Sequence, residues 1–189
     1  PARREVARDR VPFEWSGHLR FSPSGRFLLA TLFTNVRRPL FRVWQVDPWK
    51  ELPLPENQVT GLWCLGLSPD DSLLALGYAD GTLKLRNFPD NHGESTLAKR
   101  KGPITSVVFS PDGQTLASTG IDGLIGLWDA RSRRESAVLR GHWTSVWSAA
   151  FSPDGRRLAT GAVGRRDAIK LWDLATGRVL LTKIGRAHV

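Results

Sequence analysis

Residues 109–129 read FSPDGQTLASTGIDGLIGLWD, and the rest of the chain repeats this stretch with substitutions. The apolar run ITSVVF that ends at Phe109 predicts a strand. Ser110-Pro111-Asp112-Gly113 follows as a four-residue turn, because proline presets φ at the second position and glycine suits the fourth. Residues 116–119 are predicted as a second strand and residues 124–128 as a third. Asp122-Gly123 between them is predicted to supply the positive-φ pair of a tight hairpin.

The frame recurs as FSPDGRRLATG…IKLWD over 151–173, LSPDDSLLALGYADGTLKLRN over 67–87, and FSPSGRFLLAT…FRVWQ over 21–45. Starting positions 21, 67, 109 and 151 are spaced 46, 42 and 42 apart; the closing residues Trp44, Arg86, Trp128 and Trp172 are spaced 42, 42 and 44 apart. Strand-turn-strand units of this period, closing in Trp-Asp, make the chain similar to the WD-repeat β-propeller family. The resemblance covers nearly all of residues 15–183 and implies an all-β fold of about four four-stranded blades. Propellers of this family are most often seven-bladed, so four repeats imply a fragment in the form of an open arc, its remaining blades missing and its end faces aggregation-prone. The SPDG turns and the arginine-rich composition are similar to the bacterial branch of the family.

The predicted organisation is a basic segment over 1–14, a degenerate first blade over 15–53, a second over 54–98, a third over 99–139 and a fourth over 140–183. Residues 184–189, IGRAHV, read as an in-frame translation resembling a common sequencing adapter, and are expected to be a non-native tail. The chain contains no methionine, so its own start is expected upstream.

Lys and Arg total 27 against 18 Asp and Glu, a formal charge of +9 that implies an electropositive surface. Arginine outnumbers lysine 21 to 6, a skew that GC-rich coding also produces. The single cysteine, Cys64, excludes an internal disulfide and lies in the apolar run LWCLGL as an expected core residue. No apolar run has the length of a membrane-spanning helix, so no membrane partner is expected; a cytoplasmic location is the default. His18, His92, His142 and His188 show no metal-ligand spacing, and G-K-[ST] and G-x-S-x-G are absent, so no cofactor, metal or catalytic residue is expected.

In the family a His, a Ser or Thr, an Asp and the Trp form a buried hydrogen-bond network within each blade. The resemblance carries this onto Ser118, Asp122 and Trp128 of blade three, with Arg100 where His would stand, and onto His142, Thr160, Asp167 and Trp172 of blade four. Asp167 is out of register in the longer loop AVGRRD, yet is expected to bond His142; Arg100 is expected to reach Asp122. Blade one keeps Thr31 and Trp44, and blade two keeps Asp80 with Arg86 at the closing position.

The resemblance also places the loops before the inner strands and the hairpin loops on one face around a central channel. That face would carry Trp63 and Trp147, each four residues before the aligned Leu67 or Phe151, with Trp143, Arg100, Arg165 and Arg166 nearby. Trp and Arg are the residue types enriched at interface hot spots; packing within the inner strands is the alternative role for both tryptophans. The function implied is a non-catalytic scaffold for other proteins or peptides of acidic or aromatic-rich character. A regulatory or sensor region of a larger signalling kinase or NTPase is the runner-up, and nucleic-acid binding through basic loops the third reading.

Overall fold

The structure is a computed structural model and describes residues 15–33, 39–52, 61–90, 92–164 and 168–183. Regular structure among the described residues is entirely β, in sixteen strands. They form four antiparallel four-stranded sheets, each a meander in which sequence neighbours pair. Blade 1 consists of β1 (Trp15–Phe21), β2 (Phe27–Phe33), β3 (Pro39–Gln45) and β4 (Lys50–Leu52). Blade 2 consists of β5 (Leu62–Leu67), β6 (Leu73–Tyr78), β7 (Thr82–Asn87) and β8 (Ser95–Lys99). Blade 3 consists of β9 (Ile104–Phe109), β10 (Thr115–Gly120), β11 (Ile125–Asp129) and β12 (Arg134–Leu139). Blade 4 consists of β13 (Val146–Phe151), β14 (Arg157–Ala162), β15 (Ile169–Asp173) and β16 (Arg178–Lys183). Two compact units divide the chain, Pro1–Leu62 and Trp63–Val189.

The turn between the first two strands of each blade is self-contained. Its fourth residue donates to the carbonyl of the first, at 2.9 Å for Gly113 to Ser110 and 3.0 Å for Asp71 to Ser68. The leading serine hydroxyl accepts from the amide five residues on, at 2.9 Å from Leu73 and Thr115 and 3.0 Å from Arg157. The same hydroxyl donates to the aspartate two residues later, at 2.6 Å to Asp70 and 2.5 Å to Asp112 and Asp154. That carboxylate in turn accepts the amide of Ser72, Gln114 or Arg156. Glycine holds the fourth position with φ of 75°, 72° and 69° at Gly25, Gly113 and Gly155; blade 2 places Asp71 there at 60°.

These bonds are stronger to the ionised carboxylate than to the neutral acid, so the serine hydroxyl and then the backbone amide hold Asp112 and Asp154 below the usual carboxylate range. At the second hairpin, the Lys99 ammonium and the Thr82 amide lower Asp80 to about 2. A folded-state pKa below the unfolded one contributes stability that is present above the unfolded value and lost as pH falls through the folded one. The thermal midpoint is therefore expected to fall between pH 4 and pH 2, followed by circular dichroism, with Asp112→Asn showing a smaller acid-induced fall than wild type. An equal fall in both would sink this account of the turn.

The hairpin between the second and third strands differs from expectation. Asp80 and Asp122 do not adopt positive φ; only the glycines do, at 86° for Gly81 and 77° for Gly123. The turn closes by Gly81 N donating to Tyr78 O at 3.1 Å and Gly123 N to Gly120 O at 3.3 Å. Each aspartate contributes through its side chain, accepting the amide two residues on, from Thr82 at 2.9 Å and Leu124 at 3.1 Å.

Apolar faces meet between consecutive blades of the second unit. Ala75, Leu83 and Leu85 of blade 2 pack against Ile104, Val107, Leu116 and Trp128 of blade 3. Ala117, Ile125, Leu127 and Leu139 of blade 3 pack against Val146, Leu158 and Trp172 of blade 4. Inner strands are also tied directly: the Cys64 thiol donates to Ile104 O at 3.4 Å, and the Thr105 hydroxyl donates to Val146 O. Gly77 permits the first of these seams, since a Cβ there would lie 2.6 Å from both Cys64 Sγ and Ile104 Cγ2.

Candidate functional site

In blade 4 the indole of Trp172, buried against blade 3, donates from Nε1 to Thr160 Oγ1 at 2.8 Å. His142 Nε2 lies 2.7 Å from the same oxygen. Indole can only donate, so Thr160 accepts from it and its own proton is available to an Nε2 that carries none. The Thr160 hydroxyl is thus held between two buried rings, an arrangement that stiffens the sheet. Asp167, expected to complete this network, lies outside the described residues, as do Arg165 and Arg166.

Blade 3 repeats the first half, Trp128 Nε1 donating to Ser118 Oγ at 2.9 Å. Arg100 occupies the region filled by histidine in blade 4. Its guanidinium lies 3.9 Å from Asp122 Oδ1 and 3.7 Å from Glu135 Oε1, and donates to Leu124 O at 3.3 Å. Arg100 was expected on the binding face, but only 10% of its side chain is exposed and its charge is committed inside the blade. Gly126 makes the room: a Cβ there would stand 2.2 Å from Arg100 Nη2. The matching register position in blade 4, opposite Thr160, is Lys170, which leaves no such gap.

In blade 1 the strand register puts Ala30, two residues beyond the Leu28–Trp44 pair, where Ser118 and Thr160 stand; Thr31 is one residue out of step. Trp44 stacks on Trp49 instead, ring centroids 6.0 Å apart. A further tie was not legible in the motifs. Arg133, with φ of 60°, stands where blade 4 has Gly177, and its guanidinium donates to Asn87 Oδ1 at 2.8 Å and Ser95 Oγ at 2.7 Å of blade 2. An arginine in a glycine slot was the available signal.

Trp63 and Trp147 are the second residues of β5 and β13. Their rings meet with centroids 6.5 Å apart and planes tilted by 52°. They belong to blades 2 and 4; the blade between them carries Thr105 at the same place in β9. Thr105 is buried, its hydroxyl 2.9 Å from that of Thr119, so this small residue lets the flanking indoles reach across. The pair stays open to solvent, with 39% of Trp63 and 46% of Trp147 exposed. Trp143, in the loop before β13, is highly exposed, while its neighbour His142 is turned inward. Among the described residues, no group of three or more His, Cys, Asp or Glu side chains is placed to hold a metal ion, and no helix is long and apolar enough to cross a membrane.

No curated protein matches the chain. Among solved structures it is similar to the computationally designed Ika8 protein, at 22% identity and a TM-score of 0.68. The match covers 90% of this chain and 49% of that one, so the chain spans about half that protein's length. At this identity the likeness is one of fold alone. The model of the WD domain, G-beta repeat, matches residues 53–87, 94–129 and 133–173. The second and third matches begin at β8 and β12 and end at β11 and β15, so each repeat lends its first strand to the preceding sheet. With its repeats matched over more than half of its length and folded into meandering four-stranded sheets, the chain belongs to the WD40 family.

Proposed function

We propose that the chain is a non-catalytic scaffold that captures an extended protein segment on the face carrying Trp63 and Trp147. The observation behind this reading is the indole pair itself, contributed by two separate blades, in contact and still substantially open to solvent. Paired aromatic rings offer large contact area at low entropic cost and a directional N–H. The electropositive chain, at +9, favours a partner with acidic residues flanking an aromatic or proline anchor. The same surface would serve a free-standing scaffold or the regulatory region of a larger enzyme.

The test is a peptide-display selection on the wild-type chain, followed by titration of the selected peptides into Trp63→Ser/Trp147→Ser. A hot-spot residue contributes about 2 kcal/mol or more, about 30-fold in affinity, so the double variant is expected to weaken binding by about 30-fold if the two rings act as one unit and by up to about 1,000-fold if their contributions add. Its thermal transition should remain close to wild type, since both rings lie at the surface. Unchanged affinity, or unfolding of the double variant, would overturn the assignment of this face. Arg100→Ala is expected to lower stability instead, because it leaves Asp122 and Glu135 without that ion-pair partner.

A further inference from the structure

The inner strands of blades 3 and 4 are irregular at one repeat position. In β13 the register steps from Val146–Ala162 to Ser148–Gly161, and in β9 from Ile104–Gly120 to Ser106–Thr119. Trp147 and Thr105 are the residues passed over, each the bulged residue of its strand. A bulge interrupts the ladder and re-aims the side chain it carries. Side chains tie the strands together at this level. The Thr105 hydroxyl donates to Val146 O, the carbonyl of the peptide unit that leads into Trp147. That carbonyl can only accept, so the single hydroxyl proton of Thr105 is committed there, and Thr105 accepts from the Thr119 hydroxyl 2.9 Å away. Both threonines are buried. One blade back, the thiol of Cys64, next to Trp63, donates to Ile104 O, the carbonyl of the peptide unit that leads into Thr105.

We infer, given the binding face proposed above, that Thr105 is its positioning residue. The Thr105 hydroxyl holds the bulge that aims Trp147 at Trp63, so that the two indoles take one anchor of the partner as a unit. Thr105 acts in two ways. Its small side chain leaves the space across which the rings meet, and its hydroxyl fixes the plane of the peptide before Trp147. With centroids 6.5 Å apart and planes tilted by 52°, the rings leave no slot between them. A flat group inserted there would need about 7 Å between parallel faces, two carbon contacts of about 3.5 Å each. The anchor therefore lies across both rings at once, and a change in the aim of either ring loosens the hold of both.

Circular dichroism reads the ring geometry without any ligand, because two close, tilted indoles couple and give paired bands of opposite sign in the far ultraviolet. The wild type is expected to show this couplet, and Trp63→Phe and Trp147→Phe each to abolish it. Thr105→Val keeps the shape, removes the hydroxyl and is expected to lose most of the couplet; Thr105→Ser keeps the hydroxyl and the couplet. Thr105→Val/Thr119→Val is the second variant, with neither buried hydroxyl left unpaired, and is expected to lose the couplet equally. Titration of the selected peptides gives the other readout. Trp63→Ser, Trp147→Ser and the two together are expected to weaken binding alike, by about 30-fold, if the rings act as one unit. In the Thr105→Val background the losses are expected to multiply instead. A couplet missing from the wild type, retained by both valine variants or lost in the serine variant sinks the role of Thr105 and leaves the binding face standing. Unfolding of both valine variants makes the hydroxyl a structural group and also overturns it. Multiplying losses in the wild-type background refute the shared anchor. Peptide affinity indifferent to Trp63→Ser and Trp147→Ser overturns the binding face itself, and the shared anchor with it.

Discussion

Trp172→Ala is expected to destabilise the second unit by about 3–5 kcal/mol, the range for truncating a buried aromatic. The ring is packed on Ala117, Ile125 and Leu127 of blade 3, so its removal opens a cavity in the seam between two blades. It also withdraws the donor that Thr160 accepts at 2.8 Å, disturbing the hydroxyl that His142 shares. Trp172→Phe separates the two effects, keeping most of the packing and losing the N–H; the donor alone is worth about 1–3 kcal/mol when its buried acceptor is left unpaired. Urea unfolding followed by circular dichroism measures both. A small loss for Trp172→Ala would show that the seam relaxes around the missing ring. A loss for Trp172→Phe equal to that for Trp172→Ala would place the whole effect in the hydrogen bond.

Gly81→Ala is expected to cost about 2–5 kcal/mol, from a left-handed backbone and a collision that no side-chain rotation relieves. A Cβ on Gly81 would stand 2.1 Å from Arg100 O, and the local φ is 86°. The amide of Arg100 donates to Gly81 O at 2.9 Å, so the hairpin of blade 2 and the strand leading into blade 3 are pressed together here. Displacing that backbone also moves the Arg100 guanidinium away from Asp122 and Glu135, carrying the damage into blade 3. Gly123→Ala is the internal control: its Cβ would lie 3.0 Å from His142 O at a similar φ of 77°, so a smaller loss is expected. Equal losses for the two would assign the effect to φ alone and not to the contact.

Much of the fold was written in the chain itself, because the information was local. Alternation and apolar runs marked the strands, Ser-Pro-Asp-Gly marked the first turn, and the glycine after Asp80 or Asp122 marked the second. Each of these depends on a few adjacent residues whose φ or hydrogen-bond capacity limits the backbone. The Ser118–Trp128 and Thr160–Trp172 bonds were legible for the same reason, since strand register within a single meander fixes which side chains face each other.

Tertiary structure decided what depends on the neighbouring blade. Arg100 was expected both near the binding face and in reach of Asp122; the second placement holds because Gly126, on another strand, vacates the volume its guanidinium fills. The placement of Ala30 in place of Thr31 was not of this kind: Ala30 stands nine residues after Phe21 as Ser118 does after Phe109, so the repeat alignment already held it. Trp63 and Trp147 recur at one repeat position in the sequence, but their contact rests on Thr105, in the blade between them, being small and buried. Side-chain volume across a seam is a property of two strands distant in the chain, and no window of adjacent residues encodes it.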